Sequence, residues 1–248
     1  MELSNIKKEI ITRLQQEILL LEGFKPLTKG SGSRFGLGKI ENAFPNSVFP
    51  TAAIHEFINT EPEHAAACSG FLAGILKTLM SQGGACLWIS TSRRLFPPFL
   101  SMFNIAPERI IFIDAKEEKE VLWVMEQALK CEGLAAVIAE VREISIIQSR
   151  RLQLAVESSK GTGFILRNDP RKLGANTCVA RWKISPLPSE PEDELPGVGF
   201  PRWQVDLLRV RNGNPGSWKL EWAADQFITI TEETVTEITE RRISGHYA

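Results

Sequence analysis

The stretch "NTEPEHAAACSGFLAGI", residues 59–75, has the setting of a phosphate-binding turn. The apolar segment "AIHEFI" leads into it and an Ala/Gly-rich segment leads out of it. A strand, a tight turn and a helix frame a nucleotide site, because backbone N–H groups at a helix start wrap anionic oxygens. That chemistry also needs a Lys for the β and γ phosphates and a Ser or Thr hydroxyl for Mg²⁺. Here the stretch offers Asn59, Glu61, Pro62 and Glu63, then Ser69 and Gly70, and no Lys. Two carboxylates repel a polyanion, and Pro62 removes an N–H donor. Lys77 lies too far along the helix to stand in. The stretch reads as a degenerate nucleotide loop, and no cofactor is expected.

Other chemistries fare no better. "LAAVIAEV" puts Glu140 near a strand end, where an ATPase site holds a Mg²⁺-binding acid; alone it reads more simply as a structural acid with Arg142 or Arg150 as its partner. His55-Glu56 resembles half of a zinc-protease motif, but the position four residues after His55 is Asn59. Ser90, Ser92 and Ser145 lie near strand ends with no histidine placed to activate them. His55, His64 and His246 are not at ligand spacing with Cys68, Cys86, Cys131 or Cys178, and no C-x-x-C pair occurs. Reduced, buried thiols and no metal are expected, and the chain reads as a non-enzyme.

The elements that must hold these residues are legible from the apolar pattern. Leu3, Ile6, Ile10, Leu14, Ile18 and Leu21 mark one face of an N-terminal helix, and "GFKPLTKGSGSRFGLG" interrupts it as a linker. This helix either packs on its own domain or docks elsewhere. "AIHEFI", "ACLWIS", "RIIFIDA", "LAAVIAEV" and "FILRN" read as strands. They alternate with helices at "AAACSGFLAGILKTLMSQGG", "EKEVLWVMEQALKCEG" and within "ISIIQSRRLQLAVESSKGTG", and "SRRLFPPFLSMFNI" reads as a loop and helix. That alternation implies a mainly parallel sheet flanked by helices, the α/β class. After Asn168 it stops. "NTCVARWKISPLP", "PRWQVDLLRVRNG" and "GSWKLEWAADQFITI" read as three antiparallel strands, with "NGNPGS" as a hairpin turn. Trp218 and Trp222 share one strand face, which is either sheet core or a partner surface.

Composition excludes several classes. The 248 residues carry a net charge of −1, with 43% hydrophobic and 24% charged residues. Nucleic-acid affinity then requires a local patch. No apolar run approaches the ~20 residues of a membrane span. The N-terminus is too charged for a signal peptide, so a cytoplasmic protein is expected.

"FPTAAIHEF", "CLWIST", "RIIFIDAKEEKEVLWVMEQALKCEGLAAVIAEVRE", "SRRLQLAVE" and "LPGVGFPRWQVDLLRVRNGNPGSW" together resemble the ImuA family, over roughly residues 35–223. That family consists of RecA-like accessory proteins of the bacterial damage-inducible mutagenesis cassette. The resemblance implies a RecA-like core, with an N-terminal helix at 1–24 outside it, a linker at 25–38, the domain at 39–230 and a polar tail at 231–248. It implies a non-catalytic role in the SOS response and translesion synthesis. The expected partners are an ImuB-like Y-family polymerase homologue and a lesion-bypass polymerase of the alpha-subunit type. By order along the chain, "RNDPRKLGAN" corresponds to a DNA-binding loop region of RecA-like proteins. Arg171 and Lys172, helped by Arg181 and Lys183, are therefore the candidates for weak single-stranded DNA binding. Leu3, Ile10, Leu14, Trp218 and Trp222 are the candidates for interaction, the helix by self-association. The rival readings are an ATP-dependent RecA-like DNA-binding protein and a cell-division regulator.

Overall fold

The computed structural model describes residues 35–159, 161–189 and 199–230, together with Lys7, Ile10, Ile11, Arg13, Leu14 and Glu17. Leu3 and the polar tail lie outside the described residues. The elements are β1 (Ile54–Asn59), α1 (Pro62–Leu79), β2 (Ala85–Ser90), β3 (Ile110–Asp114), α2 (Glu118–Ala128) and β4 (Leu134–Val141). They continue with α3 (Ile146–Ser159), β5 (Gly163–Asn168), β6 (Ala180–Leu187), β7 (Arg202–Val210), β8 (Gly216–Ala223) and β9 (Gln226–Thr229). The strands form one sheet in the order β3-β2-β4-β5-β1-β6-β7-β8-β9. Pairings from β3 to β6 are parallel and those from β6 to β9 are antiparallel.

Two apolar layers explain why the parallel strands are continuous hydrophobic runs: both sheet faces are covered. Side chains alternate along each strand. Ala136, Ile138, Phe164 and Leu166 therefore join the α1 layer with Phe57, Phe71 and Trp182. Val137, Ala139 and Ile165 join the layer under α2 and α3 with Val121, Met125 and Leu152. Helix α1 begins with Pro62 in its first turn, where the missing N–H costs nothing. The chain leaves the short turn after α1 through Gly83 and Gly84, both at positive φ, as the Gly-Gly stop required.

Four local expectations are corrected. "GSWKLEWAADQFITI" is two strands, because Ala224 and Asp225 at positive φ make a tight turn between β8 and β9. The helix read within "SRRLFPPFLSMFNI" is 3₁₀, at Pro97–Phe103, and it ends at Asn104 in the left-handed region. Phe35 and Leu37, at the end of the expected linker, are buried in the α1 layer. Cys68, Cys86 and Cys178 are buried free thiols, whereas Cys131 is exposed.

Candidate functional site

The carboxyl ends of parallel strands form the crevice in which open α/β sheets hold ligands. Here Trp88, Glu140, Asn168 and Asn59 come from the adjacent strands β2, β4, β5 and β1 and face α1. Their side chains make one hydrogen-bonded ladder. Trp88 Nε1 donates to Glu140 Oε1 at 2.6 Å, and Asn168 Nδ2 donates to Glu140 Oε2 at 3.1 Å. Asn59 Nδ2 donates to Asn168 Oδ1 at 2.9 Å. Asn59 Oδ1 is buried and has no hydrogen-bond partner among the described residues. Burial raises the Glu140 pKa, opposed by these donors and by the charge of Arg94. Glu140 is thus held by an indole and an amide, not by Arg142 or Arg150 as expected.

The ladder closes one end of a cavity of about 440 Å³. Pro62, Ala65 and Ala66 of α1 form one apolar wall, and Leu95, Phe96 and Phe99 form the other. Arg94 sits on the lining, and a smaller cleft beside it is bounded by Glu61 and Asp169.

The phosphate-loop candidates do not form a cradle. Only Thr60 and Glu61 separate β1 from α1. Glu61 caps the helix through its backbone, its carbonyl accepting from the N–H groups of His64 and Ala65. Pro62, Glu63, Ser69 and Gly70 are all helical, which corrects the longer turn read from the sequence. Ser69 Oγ donates to Ala65 O inside the helix. Gly70 is small because Trp203 lies against it: a Cβ there would meet the indole at 3.0 Å. The Gly and Ser signals come from helix packing, which a loop reading cannot separate from a turn.

A second polar cluster lies on the opposite sheet face. Glu56 is fully buried and binds Arg167 at 3.1 Å and also Arg181. Arg167 is 1% exposed and reaches Glu143 and the carbonyls of Arg142 and Lys172. Glu143 in turn accepts from the backbone N–H of Arg171 at 2.6 Å and of Lys172 at 3.3 Å. Arg181 also donates to Gly174 O at 2.6 Å. This network clamps the loop after β5. It leaves the side chains of Arg171 and Lys172 exposed. Arg181 is committed to Glu56, which removes it from the free phosphate-binding set. Lys183 is half-buried on β6, opposite Asp206. Sequence reasoning missed Glu56 and Arg167, since neither a strand acid nor a strand arginine announces its partner.

Trp222 is buried against Phe103 and Phe227, so the partner-surface reading fails for it. Trp218 is partly buried and packs on the same core. The 211–215 turn docks on the start of the fold, with Asn214 N donating to Ala43 O at 2.9 Å. Ile10 and Leu14 are helical and about half exposed, at 52% and 51%.

No protein-family model matches the chain. It is 35% identical over 199 residues to Protein ImuA of Caulobacter vibrioides strain NA1000 / CB15N, covering 75% of this chain and 82% of that protein. Protein ImuA of strain ATCC 19089 / CIP 103742 / CB 15 matches to the same extent. Cell division inhibitor SulA of Edwardsiella piscicida is 23% identical over 104 residues, covering 42% of this chain and 62% of that one. The crystal structure of the RadB recombinase superposes with a TM-score of 0.52 at 16% identity, covering 74% of this chain and 93% of that one. That likeness and the sheet order give a RecA-like fold. With 35% identity reaching across 82% of a curated relative, the chain belongs to the ImuA family.

Proposed function

We propose that this protein is a non-catalytic accessory factor of damage-induced, error-prone translesion synthesis, acting in the cytoplasm as part of the SOS response. In this reading its RecA-like body is a scaffold joining an ImuB-like Y-family polymerase homologue to a lesion-bypass polymerase of the alpha-subunit type. The similarity to Protein ImuA carries the assignment. The two-residue connection from β1 to α1 supports the absence of catalysis. A phosphate cradle needs a run of N–H groups and a Lys before the helix, and Thr60-Glu61-Pro62 supplies neither. Glu61 and Glu63 add negative charge at the start of the helix, where phosphates would sit. The exposed Ile10 and Leu14 support the N-terminal helix as a docking element, for a second copy or a partner.

The test is co-purification of the tagged full chain from cells after ultraviolet damage. The Y-family homologue is expected among the recovered proteins, and a deletion strain is expected to lose damage-induced mutagenesis while growing normally. Recovery of a cell-division protein in place of polymerases would move the assignment to the division-regulator class. Purified protein is expected to show no Mg-ATP-dependent thermal shift and no ATP hydrolysis.

A further inference from the structure

We propose that the 440 Å³ cavity between α1 and the 94–99 segment binds a small aromatic ligand carrying N–H donors, and that it selects against anions of the same shape. The inference goes beyond the scaffold reading and does not depend on it. Cavities of this size at strand ends are the usual place for small-molecule sites.

The selectivity follows from hydrogen-bond direction. Along the ladder the donors Trp88 Nε1, Asn168 Nδ2 and Asn59 Nδ2 each point to a neighbouring acceptor. Each amide nitrogen keeps a second N–H, that of Asn59 beside Cys68, yet the unspent capacity is weighted toward acceptors. Asn59 Oδ1 has no partner among the described residues, although Asn59 is only 2% exposed. Each Glu140 oxygen accepts one bond there and has a second lone pair. A buried carbonyl oxygen without a donor costs free energy that a ligand N–H recovers. The walls supply the complementary body: Pro62, Ala65 and Ala66 face Leu95, Phe96 and Phe99, enough apolar surface for one aromatic ring.

Charge points the same way. Glu140 lies at the closed end, and Glu61 and Asp169 line the adjoining cleft. The cation lining both spaces is Arg94, whose charge already acts on Glu140. An anionic head group therefore meets carboxylates and an orphan carbonyl, whereas an amide or amidinium meets acceptors on each side.

Three probes of one shape separate these outcomes: benzamidine, benzamide and benzoate. The readout is the indole N–H resonance of Trp88 in the full-length protein, because that proton is bonded to Glu140. Benzamidine and benzamide are expected to shift it in a saturable way, with benzamidine the tighter. Benzoate is expected to leave it unmoved at tenfold higher concentration. Glu140→Gln should reduce benzamidine binding at least tenfold and benzamide binding by less. Ala66→Phe, which fills the wall without touching the ladder, should abolish both. Benzoate binding as tightly as benzamide overturns the proposal. So does benzamidine binding that survives Ala66→Phe, or no shift with either donor at millimolar concentration. Failure of these probes leaves co-purification with a polymerase homologue untouched, so the two readings fail separately.

Discussion

His55 is fully buried, its Nε2 bonded to Pro50 O at 2.8 Å and its Nδ1 accepting from Trp182 Nε1 at 3.3 Å. Phe49 stacks on the ring at 4.6 Å. Burial lowers the pKa to about 4 from 6.5, against the opposing pull of the Pro50 carbonyl. The unfolded chain therefore binds the extra proton between these values, and the folded chain does not. This stability is fully present above pH 6.5 and is lost as pH falls through about 4. The loss amounts to roughly 3 kcal/mol. Urea midpoints measured across that window should show the fall, and NMR titration should find the His55 ring still neutral at pH 5. Arg167 makes a second, sharper case. Arg167→Met leaves Glu56 buried with Arg181 alone and should cost about 3–5 kcal/mol. Urea unfolding measures it, and Glu56→Gln with Arg167→Met should recover part of the loss. Neither role was legible in the sequence. His55-Glu56 reads as a failed metal motif, since Trp182, Arg167 and Arg181, which bind the two side chains, lie more than a hundred positions away.

At the scale of elements, α1 was predicted well and its edges were not. The Ala-rich run gave the helix. The sequence reading stretched the turn to Gly70 because Gly and Ser are loop signals when nothing is known of the neighbours. The structure gives the glycines a different reason. Gly74 faces Phe227 and Trp222, and a Cβ there would meet the Trp222 ring at 2.8 Å and Phe227 closer still. Two aromatic rings from β8 and β9 thus approach the helix backbone where side chains are absent. Gly74→Ala gains about 1 kcal/mol of helix propensity but overpacks this contact by about 1–3 kcal/mol. A net loss is expected, and Gly74→Leu should lose several kcal/mol more. An unchanged urea midpoint for both variants would falsify the close-packing account. The tight β8–β9 turn escaped the sequence reading for a related reason. Ala224 at positive φ carries no turn signal, and Asp225, which tolerates the left-handed region, is a weak one without a Gly or Asn beside it.

Across the whole molecule, the parallel half and its antiparallel extension were readable, because burial on both faces and burial on alternate residues give different patterns. What could not be read was which basic residues the fold consumes. Arg181 and Arg167 are spent on Glu56, Glu143 and loop carbonyls. Together the four side chains are neutral, so the clamp contributes shape and no net field. Arg171 and Lys172 are left on a loop whose backbone is fixed by Glu143 and whose side chains face solvent. Any contact of this loop with nucleic acid must then run through two phosphate-binding side chains, giving weak binding without sequence preference. For single-stranded DNA each such contact contributes about 0.7 to the slope of log affinity against log salt. Arg171→Ala with Lys172→Ala is expected to lower affinity at low salt and to flatten the slope by about 1.4 units. Fluorescence anisotropy of a labelled single strand over a salt series measures both. Arg181→Ala is the control that separates contact from scaffold. It should lower the melting temperature while changing the salt slope by less than either loop residue alone. If it flattens the slope as the loop pair does, Arg181 reaches DNA, and the assignment of its charge to Glu56 is wrong.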